Sequence, residues 1–177
     1  GKGAGFLSRT EELERFFEQV FSAARVKVSV KTRLGVLSPE EFPRLLEIYN
    51  RYPICELTVH ARVRADMYRL PVREAWFDYA LRHSRASVCC NGDLFSAAAV
   101  RDFVQKRPEC AAVMAGRGLA AGPDMTNLLS GAGWRSESAR RAALREFHGE
   151  IYETCAADFG SARSAMLRMK ELWSYLQ

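Results

Sequence analysis

The chain has 177 residues, of which 48% are apolar, so it contains enough apolar material for a folded core. Lys and Arg number 26 against 21 Asp and Glu, which gives a net charge of +5 in a mixed pattern. This composition excludes a disordered tail and indicates a globular protein with a mild basic excess. No apolar run approaches the roughly 20 residues of a membrane-spanning helix. Because the stretch Gly1-Lys2-Gly3-Ala4-Gly5 also lacks the apolar region of a signal peptide, we expect a cytoplasmic protein that has no membrane partner.

The cysteines form an odd and scattered set. They are Cys55, Cys89, Cys90, Cys110 and Cys155, with no C-x-x-C pair and no histidine at zinc spacing. Neither a disulfide framework nor a metal site is therefore expected. The vicinal pair Cys89-Cys90 could serve as a redox device, but it lies in a short apolar run, where a free cysteine packs as a small hydrophobe. We expect both side chains in the core.

The first predicted element is an amphipathic helix. Its apolar residues recur at i, i+3, i+4, i+7, i+8 and i+11 and are Leu13, Phe16, Phe17, Val20, Phe21 and Ala24. The second helix begins at Ser38-Pro39-Glu40-Glu41, where Ser38 can cap the helix, Pro39 takes the first helical position and Glu41 can close a capping box. Its predicted buried face consists of Phe42, Leu45, Leu46 and Tyr49.

Short runs of β-branched or small apolar residues predict strands. They are Val26 to Lys31, Glu56 to His60, Ala86 to Asn91 and Ala111 to Gly116. Two further helices are predicted, one through Trp76, Phe77, Ala80 and Leu81 and one from Ser96 through Val100, Phe103 and Val104. The alternation predicts parallel strands joined by right-handed crossovers. It fits an open doubly wound sheet or part of a (β/α)8 barrel, of which this chain would be half, because a whole barrel needs about 250 residues.

After Pro123 the pattern becomes helical, with a turn-rich break at Ser130-Gly131-Ala132-Gly133. One apolar stripe consists of Leu144, Phe147, Ile151, Tyr152 and Cys155, and a second consists of Ala165, Met169, Leu172 and Leu176. We therefore predict an α/β domain over residues 1–130 and a small α-helical domain over residues 137–177.

Polar residues or glycines stand at the end of each predicted strand. They are Lys31-Thr32-Arg33, His60-Ala61-Arg62, Asn91-Gly92-Asp93 and Gly116-Arg117-Gly118. Each motif alone also fits a structural role, such as a salt-bridged lysine, a hydrogen-bonded histidine or an ordinary Asn-Gly turn. Because parallel α/β folds bind ligands at the carboxyl ends of their strands, the motifs together predict a ligand site. Glycine allows close backbone approach and Arg117 can fork onto phosphate oxygens, so the last two ends suit a phosphate.

Arginines crowd the stretch between the second and third predicted strands. They are Arg62, Arg64, Arg69, Arg73, Arg82 and Arg85, with Tyr68 and Trp76 between them. Such a patch can grip an RNA backbone and stack a base, although it also fits a solvated face of an arginine-rich protein.

The strand-end motifs resemble the C-terminal part of the tRNA-dihydrouridine synthases, which are flavoenzymes that reduce uridine in tRNA. The segment 30–35, VKTRLG, is similar to the family's V-K-x-R-L-G strand, and 58–64, TVHARVR, resembles x-V-H-G-R-T-R. The segment 91–95, NGDLF, resembles N-G-D-I-F, and 113–118, VMAGRG, resembles V-M-I-G-R-G. The ending, with Phe147-His148, Tyr152 and Met169-Lys170-Glu171-Leu172-Trp173, is similar to the family's helical RNA-binding domain.

The resemblance implies the C-terminal half of a (β/α)8 TIM barrel with four parallel strands, followed by the small helical domain. It also implies an FMN cofactor, NADPH as the reductant and tRNA as the partner. Lys31 would lie against the isoalloxazine ring, where a cation stabilises the reduced flavin, and His60 would contact the cofactor as a neutral or cationic donor. The residues implied for the ribityl and phosphate groups are Asn91, Gly92, Asp93, Gly116 and Arg117; those expected to bind RNA are Arg62, Arg64, Tyr68 and Lys170.

The chain also departs from the family pattern. Ala61 and Val63 stand where the family has Gly and Thr, and the N-x-G-C-P loop that carries the catalytic cysteine is missing, so no catalytic residue is assigned. The stretch 1–5 resembles the segment just after that loop, which implies that the chain begins there and has no turnover alone. A half barrel has two unpaired edges, so we expect self-association or pairing with the missing N-terminal half. A non-catalytic RNA-binding module and another phosphate-binding barrel enzyme remain alternatives.

Overall fold

The computed structural model describes residues 3–175. Gly1 and Lys2 of the N-terminal stretch, Leu176 of the second apolar stripe and Gln177 lie outside the described residues. The elements in chain order are α1 (Thr10–Ala23), β1 (Ser29–Gly35), α2 (Phe42–Tyr49), β2 (Glu56–Val63), α3 (Glu74–His83), β3 (Ser87–Asn91), α4 (Ala97–Lys106), β4 (Ala112–Met114), α5 (Arg117–Ala121), α6 (Met125–Leu129), α7 (Glu137–Phe159) and α8 (Ala162–Trp173). The predicted alternation of helices and strands is confirmed.

Within residues 3–175 the strands form one four-stranded sheet in the order β1-β2-β3-β4, and each neighbouring pair is parallel. A doubly wound sheet reverses its strand order at a switch point, whereas successive strands of a barrel follow one another in chain order. The unbroken order therefore favours the barrel, and the chain has the fold of half a (β/α)8 TIM barrel with appended helices.

Two strands extend further than predicted. β1 runs from Ser29 to Gly35 instead of ending at Lys31, and β2 continues past His60 to Val63. Both predicted ends were placed at a polar residue that follows an apolar run, which was wrong. In β1 the polar side chains of Lys31 and Arg33 alternate with buried Thr32 and Leu34, so they occupy one face of a continuing strand.

The opposite face of the sheet packs against helices. Thr32 of β1 shares a hydrogen bond of 2.8 Å with the hydroxyl of Tyr49 in α2, and burial raises the pKa of Tyr49 to about 12. Farther along the layer, the rings of Phe77 in α3 and Phe103 in α4 meet edge to face at 5.4 Å. The predicted buried face of α2 is confirmed, because Phe42, Leu45, Leu46 and Tyr49 are all buried.

The predicted capping residues begin a short 3-10 helix, Pro39–Glu41, which leads directly into α2 at Phe42. The carboxylate of Glu41 accepts hydrogen bonds from the backbone N–H of Ser38 at 2.7 Å, Leu37 at 2.8 Å and Val36 at 3.0 Å. The bond from Ser38 is the glutamate half of the predicted capping box.

All five cysteines lie within the described residues and are free thiols. Cys89 and Cys90 are both buried in β3, which confirms their predicted place in the core.

The described residues divide into two compact units, residues 3–93 with 103–114, and residues 94–102 with 115–175. The boundary between these units differs from the predicted domain boundary near residue 130. The two predicted domains remain a prediction. In the second unit α7 and α8 pack as a hairpin, in which Gly160 adopts a left-handed conformation with φ of 62° and Ser161 caps α8. No helix among residues 3–175 is long and apolar enough to cross a membrane.

We expect the same substitution to have opposite effects at two helical glycines of the second unit. A Cβ at Gly118 would lie 1.8 Å from the carbonyl oxygen of Leu94, whereas a Cβ at Gly149 in α7 would meet no atom within 4 Å. Gly118→Ala should destabilise the protein by more than about 1 kcal/mol, because backbone must move. Gly149→Ala should stabilise it by about 0.5–1 kcal/mol through helix propensity. Urea denaturation measures both, and changes of the same sign would contradict the packing at Gly118.

Candidate functional site

The polar face of the sheet gathers most of the side chains that the strand-end motifs single out. The strand register aligns Lys31 with Thr58, Cys89 and Ala112, and it aligns Arg33 with His60, Asn91 and Met114. These residues form two successive rows on the face that is turned away from the helices, in the manner of the inward-facing layers of a TIM barrel. Lys31, His60 and Asn91 are therefore brought together in the first compact unit.

Arg62 is the central connection of this face. Its side chain is 3% exposed, and it donates from Nε to the carbonyl oxygen of Leu70 at 2.6 Å, from Nη1 to Nε2 of His60 at 3.1 Å, and from Nη2 to Oδ2 of Asp93 at 2.6 Å. A guanidinium this deeply enclosed offers no surface to a phosphate. The RNA contact predicted for Arg62 is thus corrected: this residue holds the site together.

The tautomer of His60 follows from this contact. A guanidinium has only N–H donors, so His60 Nε2 must accept the hydrogen bond from Arg62. The neutral ring carries its proton on Nδ1, which is the nitrogen left to donate to a ligand.

Electrostatics favours that neutral form. Burial lowers the pKa of His60 to about 4, and the neighbouring cations Arg33 and Lys31 act in the same direction. The pKa of Lys31 is lowered as well, first by partial desolvation and then by the charge of Arg33. Lys31 and Arg33 thus place two positive charges beside a neutral imidazole, which makes this face attractive to an anionic group.

The turn after β3 is built from two residues with positive φ, Gly92 at 134° and Asp93 at 52°. Position 92 also lacks space, because a Cβ there would lie 2.5 Å from Val72 Cγ1 and 3.2 Å from His60 Cδ2. Asp93 Oδ2 accepts from Arg62 and from the backbone N–H of Val72 at 3.1 Å. The predicted Asn-Gly-Asp motif therefore closes the turn tightly onto His60 and Arg62.

Asn91 has a fixed orientation. Its Nδ2 donates to the carbonyl oxygen of Met114 at 2.7 Å, which joins the ends of β3 and β4. The side-chain oxygen remains the acceptor of this amide.

An aromatic ring covers the edge of the polar face. Tyr68, in the loop after β2, is 56% exposed, and its ring centre lies 5.9 Å from that of His60. The guanidinium carbons of Arg33 and Arg62 lie 5.5 Å and 5.9 Å from the centre of the same ring. Arg33 also donates to the carbonyl oxygens of Val63, at the end of β2, at 2.9 Å and of Met67, in the loop, at 3.3 Å, so it holds this loop against the strand.

The arginine-rich stretch separates into two groups. Arg62 and Arg73 are committed to ion pairs with Asp93 and Asp66. The arginines that stay exposed are Arg64, Arg69, Arg82 and Arg85. Sequence reasoning missed Arg33 as a site residue and Asp66 as an organising carboxylate, although the alternation of Lys31 with Arg33 was a usable signal for the first.

The remaining predicted residues belong to the second unit. Gly116 is exposed and precedes α5, and a Cβ there would meet no atom within 4 Å. The guanidinium of Arg117 lies 5.2 Å from the centre of the Phe95 ring. Lys170 is exposed on α8. Among residues 3–175, no group of three or more His, Cys, Asp or Glu side chains is placed to hold a metal ion.

Comparisons with known proteins agree on one family. The model of the dihydrouridine synthase (Dus) family matches residues 1–172. The tRNA-dihydrouridine(16) synthase of Ralstonia nicotianae is 31% identical over 163 residues, which are 90% of this chain and 47% of that protein. The enzymes of the same name from Cupriavidus necator and Neisseria meningitidis serogroup B are 32% and 26% identical over 70% and 84% of this chain. The chain spans less than half the length of these curated relatives, 38% to 47%.

We expect His60 to make the protein less stable in mild acid. Its pKa is about 4 in the folded chain against about 6.5 when unfolded, so the unfolded state binds more protons between these values. The contribution of neutral His60 is complete above about pH 6.5 and is lost as the pH falls towards 4. His60→Gln should flatten this part of the profile in urea denaturation at about pH 7.5 and about pH 5. The matched control is His83→Gln, at the exposed end of α3; equal pH slopes for wild type and His60→Gln would contradict the assignment.

Proposed function

We propose that this chain, which belongs to the dihydrouridine synthase family, is the cofactor-binding and tRNA-binding part of a longer enzyme that reduces uridine to 5,6-dihydrouridine in tRNA. The carrying observation is the polar face of the first unit, where Lys31, Arg33 and neutral His60 meet on adjacent strands. Because the chain spans less than half of its relatives, the reduction itself belongs to the complete protein.

The donor set of this face fits FMN. When bound, FMN would supply the hydride, with NADPH as its reductant. Lys31 would stabilise negative charge on the flavin ring, and its neighbour Arg33 keeps the local potential positive. His60 would donate from Nδ1, because Nε2 is occupied by Arg62.

The residues of the turn after β3 suit the ribityl and phosphate groups of the cofactor. The side-chain oxygen of Asn91 is an acceptor that would suit a ribityl hydroxyl, and Gly92 lets the turn pack tightly beside it, against Val72 and His60. Asp93 is already bonded to Arg62 and Val72, so its proposed role is to position this turn. For the second unit, taken by itself, we propose a phosphate contact, because Gly116 has open space at the site of a Cβ and Arg117 would supply positive charge.

The proposed tRNA contacts are exposed residues. Arg64 and Tyr68 lie in the loop after β2, and Lys170 lies on α8. Tyr68 is suited to stack against an unpaired base, because its ring is already held beside Arg33 and the residue is 56% exposed. The relatives are named for position 16 of tRNA, and we propose this uridine as the target.

The two edge strands of the sheet, β1 and β4, suggest that further strands pair with them. Within the described chain β1 pairs only with β2, and β4 pairs only with β3. Unpaired strand edges favour pairing with further strands. We propose that the remaining strands of a longer polypeptide close the barrel, and that a second copy takes their place when residues 1–177 are studied alone.

Mapping dihydrouridine in tRNA tests the function. Deleting the gene that encodes this chain should abolish dihydrouridine at position 16, as measured by mass spectrometry of isolated tRNA. The full-length gene should restore it, Lys31→Met should restore less than about a tenth of it through loss of the cation at the flavin, and the control Lys27→Met, at an exposed lysine before β1, should restore it fully. Unchanged dihydrouridine after deletion would refute the function, and full restoration by Lys31→Met would favour a non-catalytic RNA-binding protein.

Arg64→Ala should weaken tRNA binding through the loss of one phosphate contact. The plot of log affinity against log salt should become shallower by roughly 0.7–0.9. Arg44→Ala is the matched control, because Arg44 is also exposed but pairs with Glu14 and Glu47 on the outer helices. Filter binding of tRNA at several salt concentrations measures both variants, and identical slopes for Arg64→Ala and wild type would remove Arg64 from the interface.

Residues 1–177 alone should associate through the unpaired edges of β1 and β4. Light scattering at micromolar concentration should give a mass of at least twice the 19.9 kDa of one chain. A clean monomer under these conditions would contradict the proposed pairing.

A further inference from the structure

The loop after β2, residues 64–73, has an exposed tip and a buried base. It joins β2 to α3. At the tip, Met67, Tyr68 and Leu70 are exposed, whereas the side chain of Asp66 at the base is only 5% exposed. A carboxylate enclosed in this way needs hydrogen-bond donors around it, because burying an unpaired charge is unfavourable.

Arg73 supplies most of these donors and closes the loop. Its guanidinium binds Asp66 at two points, since Nη2 donates to Oδ1 at 3.0 Å and Nη1 donates to Oδ2. Asp66 Oδ2 also accepts from the backbone N–H of Val63 at 2.9 Å. The backbone N–H of Arg73 donates to the carbonyl oxygen of Ala61 at 2.9 Å. The ion pair therefore ties the start of the loop to its end and anchors both to β2.

The backbone inside this closure makes a tight turn. Met67 has a positive φ of 53°, which is uncommon for a residue with a Cβ. Its N–H donates to the carbonyl oxygen of Arg64 at 3.1 Å, and the N–H of Arg69 donates to that of Asp66 at 3.0 Å. A backbone conformation of this kind persists only where the surrounding contacts determine it. The turn lies directly before Tyr68, so it determines where that ring points.

The turn places the Tyr68 ring on the polar face. The ring centre lies 5.9 Å from that of His60 and 5.5 Å from the guanidinium carbon of Arg33. The ion pair acts on this ring through the backbone, because Asp66 precedes Tyr68 by two positions and Arg73 follows it by five. The hydrogen bond from Arg73 also holds the pKa of Asp66 below its usual range, so the pair stays charged at neutral pH.

We propose that Asp66 and Arg73 are positioning residues for Tyr68, whose ion pair closes the loop before tRNA binds and holds the ring ready to stack on the target base. This inference rests on the proposed function, in which Tyr68 stacks on an unpaired base. A loop that is already ordered loses less conformational freedom on binding than one that must first fold onto its partner. Loss of the pair should therefore weaken the contribution of Tyr68.

Limited proteolysis tests the closed loop without reference to any activity. Trypsin is added to the complete native protein, and cleavage after Arg64 and Arg69, which are both exposed, is followed by mass spectrometry. Arg73→Gln should speed this cleavage at least roughly tenfold, because a closed loop must open before a protease can bind it. The matched control is Arg140→Gln, which breaks an equally buried pair with Asp124 in the second unit and should leave the rate unchanged. An unchanged rate in Arg73→Gln, or equal acceleration in both variants, would overturn the proposal.

A milder substitution tests the charge of the pair while preserving the fold. Asp66→Asn keeps the size of the side chain and an acceptor oxygen for the N–H of Val63, but it removes the negative charge that faces Arg73. With unchanged circular dichroism, its loop cleavage should be faster than that of the wild type. Cleavage at the wild-type rate would overturn the proposal, because the loop would then close without the ion pair.

A double-mutant cycle tests whether the pair acts through Tyr68. The complete enzyme is assayed for dihydrouridine formation in tRNA, and kcat/KM is measured for the wild type, Arg73→Gln, Tyr68→Ala and the double variant. Arg73→Gln should lower kcat/KM roughly tenfold in the wild type, but less than about twofold once Tyr68 is replaced. Equal losses in both backgrounds would make the pair merely structural and overturn the proposal. A wild-type enzyme without activity would refute the proposed function and the role in stacking, whereas the proteolysis would still decide whether the pair closes the loop.

Discussion

The buried guanidinium of Arg62 is the constraint on which the polar face depends. Taking a charge out of water is unfavourable unless it is paired and hydrogen-bonded, and Arg62 meets this requirement through Asp93, His60 and the carbonyl oxygen of Leu70. One side chain thereby fixes the turn after β3, the imidazole tautomer and the loop after β2. The same residue that resembles an RNA-binding arginine in the sequence is the internal support of the face that a cofactor would use.

Local patterns made much of the fold predictable. The helix α1, the buried face of α2 and the capping glutamate depend on residues within a few positions of one another, so periodicity and turn chemistry identify them. Of the predicted stripe of α1, Leu13 and Phe17 are buried, whereas Phe16 is exposed. The ends of β1 and β2 were harder to predict, because Lys31 and His60, each considered alone, look like the last residue of a strand. Only their alternation with buried neighbours shows that the strands continue.

The residues that form the candidate site could largely be predicted from the sequence, but the role of each residue could not. The motifs place Lys31, His60 and Asn91 at predicted strand ends, and the strand register does bring them onto one face, with Lys31 in the row before that of His60 and Asn91. That Arg62 turns inward depends on a carboxylate 31 residues away, and no local pattern specifies such a partner. The roles of Gly92 are similarly non-local, since the atoms that exclude a side chain there belong to Val72 and His60.

Ion pairs inside the fold reduce the number of arginines that can attract a polyanion from a distance. Arg62, Arg73 and Arg140 are each matched by a carboxylate inside the fold, so these pairs contribute almost no field at a distance. The net charge of +5 must then be carried by side chains at the surface. A nucleic acid approaching from beyond contact range would meet this excess first, and its rate of capture would fall steeply as ionic strength rises. Selection on the exposed arginines would therefore act on the speed of encounter, whereas selection on the enclosed ones would act on the shape of the site.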